Sequence, residues 1–133
     1  MPLLLTITAV IEAAAGVALL TAPALAAFLL FGVALDAQTG SGVGRVAGAA
    51  LIALGVACWC ARRDESSRAA MGVVAAMLSY NLAVVPILAY AGLAQSAGGI
   101  LLWPAVALHA AQAMWCITCL RPQNSSTADL PPG

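Results

Sequence analysis

LLLTITAVIEAAAGVALLT, residues 3–21, decides the fold. At 1.5 Å per helical residue the run covers about 28 Å, close to the hydrocarbon thickness of a bilayer. Glu12 is the only charged side chain in residues 1–35. A carboxylate in such a run lies either near the membrane surface or inside a helix bundle. The rest of the chain supports the lipid reading. Of 133 residues, 63% are hydrophobic and 8% charged, and there is no lysine. A soluble domain carries about 25% charged residues. A soluble globule of this size could not cover its surface with so little charge. With zero net charge and no basic tract, nucleic acid is excluded as a partner, because phosphates require clustered Arg and Lys.

Ala22-Pro-Ala-Leu-Ala26 looks like a small-residue cleavage site, but Met1-Pro2 lacks the basic n-region of a signal peptide and Glu12 interrupts the apolar core. The segment is therefore read as a retained helix. Working outward, four spans qualify as membrane helices, at about 3–22, 43–61, 69–91 and 100–120. Pro23 demands a kink or a short interfacial helix after the first. Residues 36–44 read as a polar, Gly-rich loop, 62–68 as a charged turn, 92–99 as a small polar turn, and 122–133 as a disordered tail after a single domain at 1–121. Trp103 and Trp115 fall near opposite ends of the fourth span, as interfacial aromatics do.

The expected fold class is all-α, an integral membrane four-helix bundle with both termini inside. Arg62, Arg63, Arg68 and Arg121 share one side and make it cytoplasmic by the positive-inside rule. The Asn124-Ser-Ser126 sequon would then be on the wrong side for glycosylation. Small residues mark the mating faces. Gly16 shares a face with Glu12, while Gly48 and Gly55 lie on one stripe with Arg45, Ile52 and Trp59.

Counted from the cytoplasmic ends, Glu12 lies about 14 Å deep, His109 about 16 Å, Asn81 about 18 Å and Arg45 about 24 Å. Each span thus carries one strongly polar residue, with Gln112 on the His109 face and Tyr80 beside Asn81. An intramembrane charge costs about 2.5–3.5 kcal/mol at a helix centre. Pairing reduces that cost, so Glu12 is expected to pair with Arg45, with Asn81 and His109 completing the hydrogen bonds. The cluster either fixes helix register, binds a small ligand, lipid head or quinone, or relays protons through Glu12 and His109.

Cys58, Cys60, Cys116 and Cys119 are weak metal-site candidates. Cys58 and Cys60 point about 200° apart on a helix, so both cannot easily face one centre. The four are read as buried, unreactive thiols, and one His and one Glu are too few for a separate metal site. Gly42-Val-Gly44-Arg45-Val46-Ala47 matches a dinucleotide fingerprint, but no strand precedes it, so the motif has no meaning here.

Residues 1–121 resemble the DoxX-like group of small bacterial four-helix membrane proteins. The resemblance rests on Glu12-Ala-Ala-Ala-Gly16 with Pro23, Gly44-Arg-Val-Ala-Gly48 with Ala53-Leu-Gly55, Tyr80-Asn81, and Trp103-Pro104 followed by His109. It implies an inner-membrane location and an association with quinone-coupled redox chemistry. No cofactor is expected from the residues themselves. The first functional reading is a non-enzymatic ligand- or lipid-binding protein or accessory subunit. Its partners would be the lipid bilayer and a second copy or another membrane protein. The alternatives are a quinone-using oxidoreductase component and an oligomeric proton-coupled transporter.

Overall fold

The computed structural model describes residues 1–33, 39–64 and 67–121. The expected tail at 122–133, the sequon and Asp36 lie outside these residues. Among the described residues the chain forms five helices: α1 (Pro2–Thr21), α2 (Pro23–Phe31), α3 (Thr39–Ala61), α4 (Arg68–Ala94) and α5 (Leu102–Leu120). Three of them, α1, α3 and α4, are long and apolar enough to cross a membrane. Strongly exposed apolar side chains cover the outside, Val46, Leu93 and Ile100 among them, while Glu12, Asn81 and Gln112 are buried. This distribution suits a lipid solvent, in which polar groups must be satisfied within the bundle. The hydroxyls of Thr6, Thr21 and Ser79 obey the same rule, each donating to the carbonyl four residues earlier in its own helix.

Pro23 does more than kink the first helix. Ala22 leaves the helical region at φ −135°, and Pro23 starts a new helix at its first position, where a missing N–H costs little. Gly32 ends α2 in the left-handed region at φ 76°, where a side chain would be strained.

Three expected boundaries move. The second span begins at Thr39, not 43, so most of the stretch read as a Gly-rich loop is helical, as is the dinucleotide-like motif. The third runs to Ala94 rather than 91, because Gly92 is a packing glycine and not a turn. A Cβ there would lie 2.9 Å from Leu102 Cδ2 and 3.1 Å from the Trp103 ring. The fourth begins at Leu102, not 100, after a turn closed by the Leu102 N–H on Gly99 O at 3.1 Å. Pro86 lies inside α4, where it leaves the Leu82 carbonyl without its usual donor.

α1 packs chiefly on α3, and α4 chiefly on α5. Both pairs are antiparallel. Gly48 faces Gly16 and Leu20, while Gly55 faces Ala9 and Ala13. Asn81 meets His109, while Gly92 lies under Leu102 and Trp103. Gly16, Gly48 and Gly55 thus form the expected mating face, with Ile52 packed on Gly16.

α2 is held by the connector between α4 and α5. The Gly98 N–H donates to Phe31 O at 3.1 Å and the Leu101 N–H to Leu29 O at 2.9 Å. Helix C-termini leave carbonyls unpaired, and these two donors satisfy them. Gly99 is buried against the Leu29 and Leu30 backbone, in a space too small for any side chain. The result is a short helix docked over one end of the bundle.

Candidate functional site

The bundle interior is layered. At the end holding the start of α1 is an apolar core of Leu4, Leu5, Ala9, Cys58, Val74, Met77 and Cys116. The polar side chains follow. Thr8, Glu12, Asn81 and Gln112 are buried, while Tyr80 and His109 are half-buried. Beyond them a cavity of about 400 Å³ opens between the helices.

Asn81 organises one side of the polar layer. Its Nδ2 donates to Met77 O at 2.7 Å, and a carbonyl can only accept. That bond orients the amide and places Oδ1 2.6 Å from His109 Nδ1. Since Oδ1 also only accepts, Nδ1 carries the hydrogen, and Nε2 of the neutral ring is an acceptor. Tyr80 steadies the imidazole edge-on, with ring centroids 5.6 Å apart and planes at 78°.

This contact joins α4 to α5, and interhelical hydrogen bonds of this kind contribute roughly 0.6–2 kcal/mol in lipid. Asn81→Leu is expected to lower stability by about 1–2 kcal/mol in a denaturant or thermal titration. The Asn81→Leu/His109→Leu pair should recover most of that loss, because the second change removes the orphaned N–H. A pair no more stable than Asn81→Leu would count against the contact.

Glu12 behaves differently. It is 2% exposed, and its Oε1 has no hydrogen-bond partner among the described residues. The expected pair with Arg45 does not form. Arg45 is exposed, and the antiparallel register explains why. Gly48 already faces Gly16 and Leu20, so Arg45 lies a further turn toward the end of α1. That places it level with about residue 21, nine residues and about 13 Å along the axis from Glu12. Depth counting separates the two by about 10 Å, close enough for the long Arg stem, whereas the packing of α1 on α3 sets them farther apart.

Gln112 is 4% exposed, and both of its amide atoms lack partners among the described residues. It shares a face with His109 as expected, but makes no bond to the cluster.

The cavity is lined by Ile11, Glu12, Ala15 and Leu19 of α1, Leu30 of α2, Leu51 of α3, Tyr80, Val84 and Leu88 of α4, and Leu101, Pro104, Ala105, Leu108 and His109 from the α5 side. Along α1 and α4 the lining advances eight residues, about 12 Å. Glu12, Tyr80 and His109 stand at one end. The other end is apolar and roofed by Leu30 and Leu101. The shape is that of an amphipathic pocket, and its volume falls in the range of small-molecule sites, about 300–1,000 Å³.

Three of the cysteines share one cluster and the fourth does not, so the expectation of four buried thiols fails at Cys60. Cys58 and Cys116 are buried in the apolar core, Cys60 is exposed and Cys119 is half-buried, and all four are free thiols. Among the described residues no group of three or more His, Cys, Asp or Glu side chains could hold a metal ion. The roof formed by α2 and the apolar half of the cavity had no local signal in the sequence. Their residues are ordinary Leu, Ala and Pro, and only the fold brings them together.

Fold and site together define a small helical membrane protein with a buried polar contact between His109 and Asn81. No family model matches the chain, and neither a curated protein nor a solved structure matches it.

Proposed function

We propose that the chain is a four-crossing, non-enzymatic membrane protein that binds a small amphipathic ligand in the cavity beside Glu12. The observation that carries this reading is the unpartnered Oε1 of a 98%-buried side chain (2% exposed) on the wall of a cavity of about 400 Å³. A cluster that served register alone would satisfy its polar groups internally, as Asn81 does. α5 serves as the fourth crossing, antiparallel to α4, with His109 and Gln112 on its inner side. Residues 1–121 then form one domain with both ends on the Arg-rich, cytoplasmic side of a bacterial inner membrane, as the DoxX resemblance implies.

Two measurements test the reading. Native mass spectrometry of gently purified protein should show a bound small molecule that disappears in Glu12→Leu. The same variant should be more stable than the ligand-free wild type by about 1–3 kcal/mol, because it removes an unsatisfied buried group. A fall in stability would make Glu12 a structural member of the bundle instead. A quinone is the second candidate occupant. It is favoured by the Tyr80 hydroxyl, which can donate to a quinone carbonyl, beside an apolar body-sized space, and the same spectra would identify it by mass.

A further inference from the structure

We propose that the ligand is a lipophilic amine, held by its ammonium at Glu12 and His109 with its apolar body directed toward Leu30 and Leu101. This rests on the cavity being a ligand site and names the chemistry it selects. The polar end of the cavity is made mostly of acceptors. Asn81 commits His109 Nδ1 as a donor, which makes Nε2 of the neutral ring an acceptor. Glu12 is one of the lining residues, and its buried Oε1 is unpartnered. The Tyr80 hydroxyl can accept or donate.

No Arg or Lys lines the cavity. Arg45 is exposed and lies more than two turns away, and Arg62 is engaged elsewhere, stacked over the Trp59 ring at 3.4 Å and donating to Trp59 O. A carboxylate buried without a counter-charge is costly, and a ligand cation removes the cost where the protein does not. An ammonium also brings three donors to a site of acceptors. An anionic head group would find few donors at this end of the cavity. The apolar walls, about 12 Å long, accommodate a chain of about eight carbons beyond the head.

The test uses the full chain in nanodiscs of zwitterionic lipid and three probes with one tail: octylamine, octanol and octanoate. Binding is read by native mass spectrometry. Octylamine is expected to bind about tenfold or more tightly than octanol, the margin of a charge-assisted contact, and octanoate not to bind. Glu12→Gln should bring octylamine down to the affinity of octanol while octanol is unchanged. Ala105→Phe, which fills the cavity, should remove binding of both. Equal binding of octylamine and octanol to the wild type would overturn the amine assignment, as would octanoate binding as tightly as the amine, and the ligand reading would survive. If none of the three probes binds, or Ala105→Phe changes nothing, the cavity reading falls as well. The wild-type comparison of head groups needs no variant, so poor folding of either variant leaves the test decisive.

Discussion

Gly48→Val is expected to destabilise the bundle by about 3 kcal/mol, the upper part of the overpacking range. A Cβ at Gly48 would lie 2.7 Å from Gly16 O and 2.8 Å from Leu20 N. Both are backbone atoms of α1, so no side-chain rotation relieves the overlap and the helices must move apart. In lipid, separating them has little hydrophobic penalty, because the tails outside are as apolar as the residues inside. Close packing is therefore the main attraction between α1 and α3, and a branched side chain removes it.

The glycines provide their own scale. Gly55→Ala should cost less, since its Cβ would stand 3.0 Å from Ala9 O. Gly72→Ala should be neutral or slightly stabilising, because nothing lies within 4 Å and alanine is the better helix former. Reversible unfolding in mixed detergent would read the order. An equal response at Gly48 and Gly72 would show that α1 and α3 do not pack in this register.

Gly99→Val should release α2 from the bundle and empty the cavity while leaving the long helices folded. A Cβ at Gly99 would overlap the Leu29 and Leu30 backbone. The connector would have to withdraw, and with it the donors to Phe31 O and Leu29 O. Each unsatisfied backbone group in hydrocarbon costs several kcal/mol, so α2 must find other partners or move toward the interface. Leu30 and Leu101 then no longer roof the cavity. Hydrogen exchange of residues 23–31 should rise sharply, and bound ligand should be lost. Retained ligand with a mobile α2 would mean that the roof is not part of the site. Gly98, which has nothing within 4 Å of its added Cβ, is the control position.

These two predictions separate what is local from what is not. Apolar runs such as 3–21, and the interruption at Pro23, are properties of short stretches, and their helices appear close to where the pattern places them. The packing glycines Gly16, Gly48 and Gly55 were readable too, because small residues at helical spacing have one main use in lipid. The start of α3 at Thr39 was not, because glycine and serine in sequence signal a loop. Gly40 and Gly44 stand across a cavity from Ala26, Ala27 and Leu30 of α2, a placement that no local pattern signals.

The polar set divides the same way. Burial of Glu12, Asn81 and Gln112 follows from the solvent. A strongly polar side chain deep in a membrane helix favours the interior, so the sequence by itself indicated that these three are inside, whereas Arg45, nearer a helix end, is exposed. Which of them meet is a question of relative helix height, and spacing along one chain carries no information about that. Only the tertiary structure decided that Asn81 meets His109, that Arg45 lies more than two turns beyond Glu12, and that α2 and Leu101 close an apolar space above the carboxylate. The physical reason is that solvent acts on each residue separately, whereas partners are set by the backbone contacts that lock one helix against another.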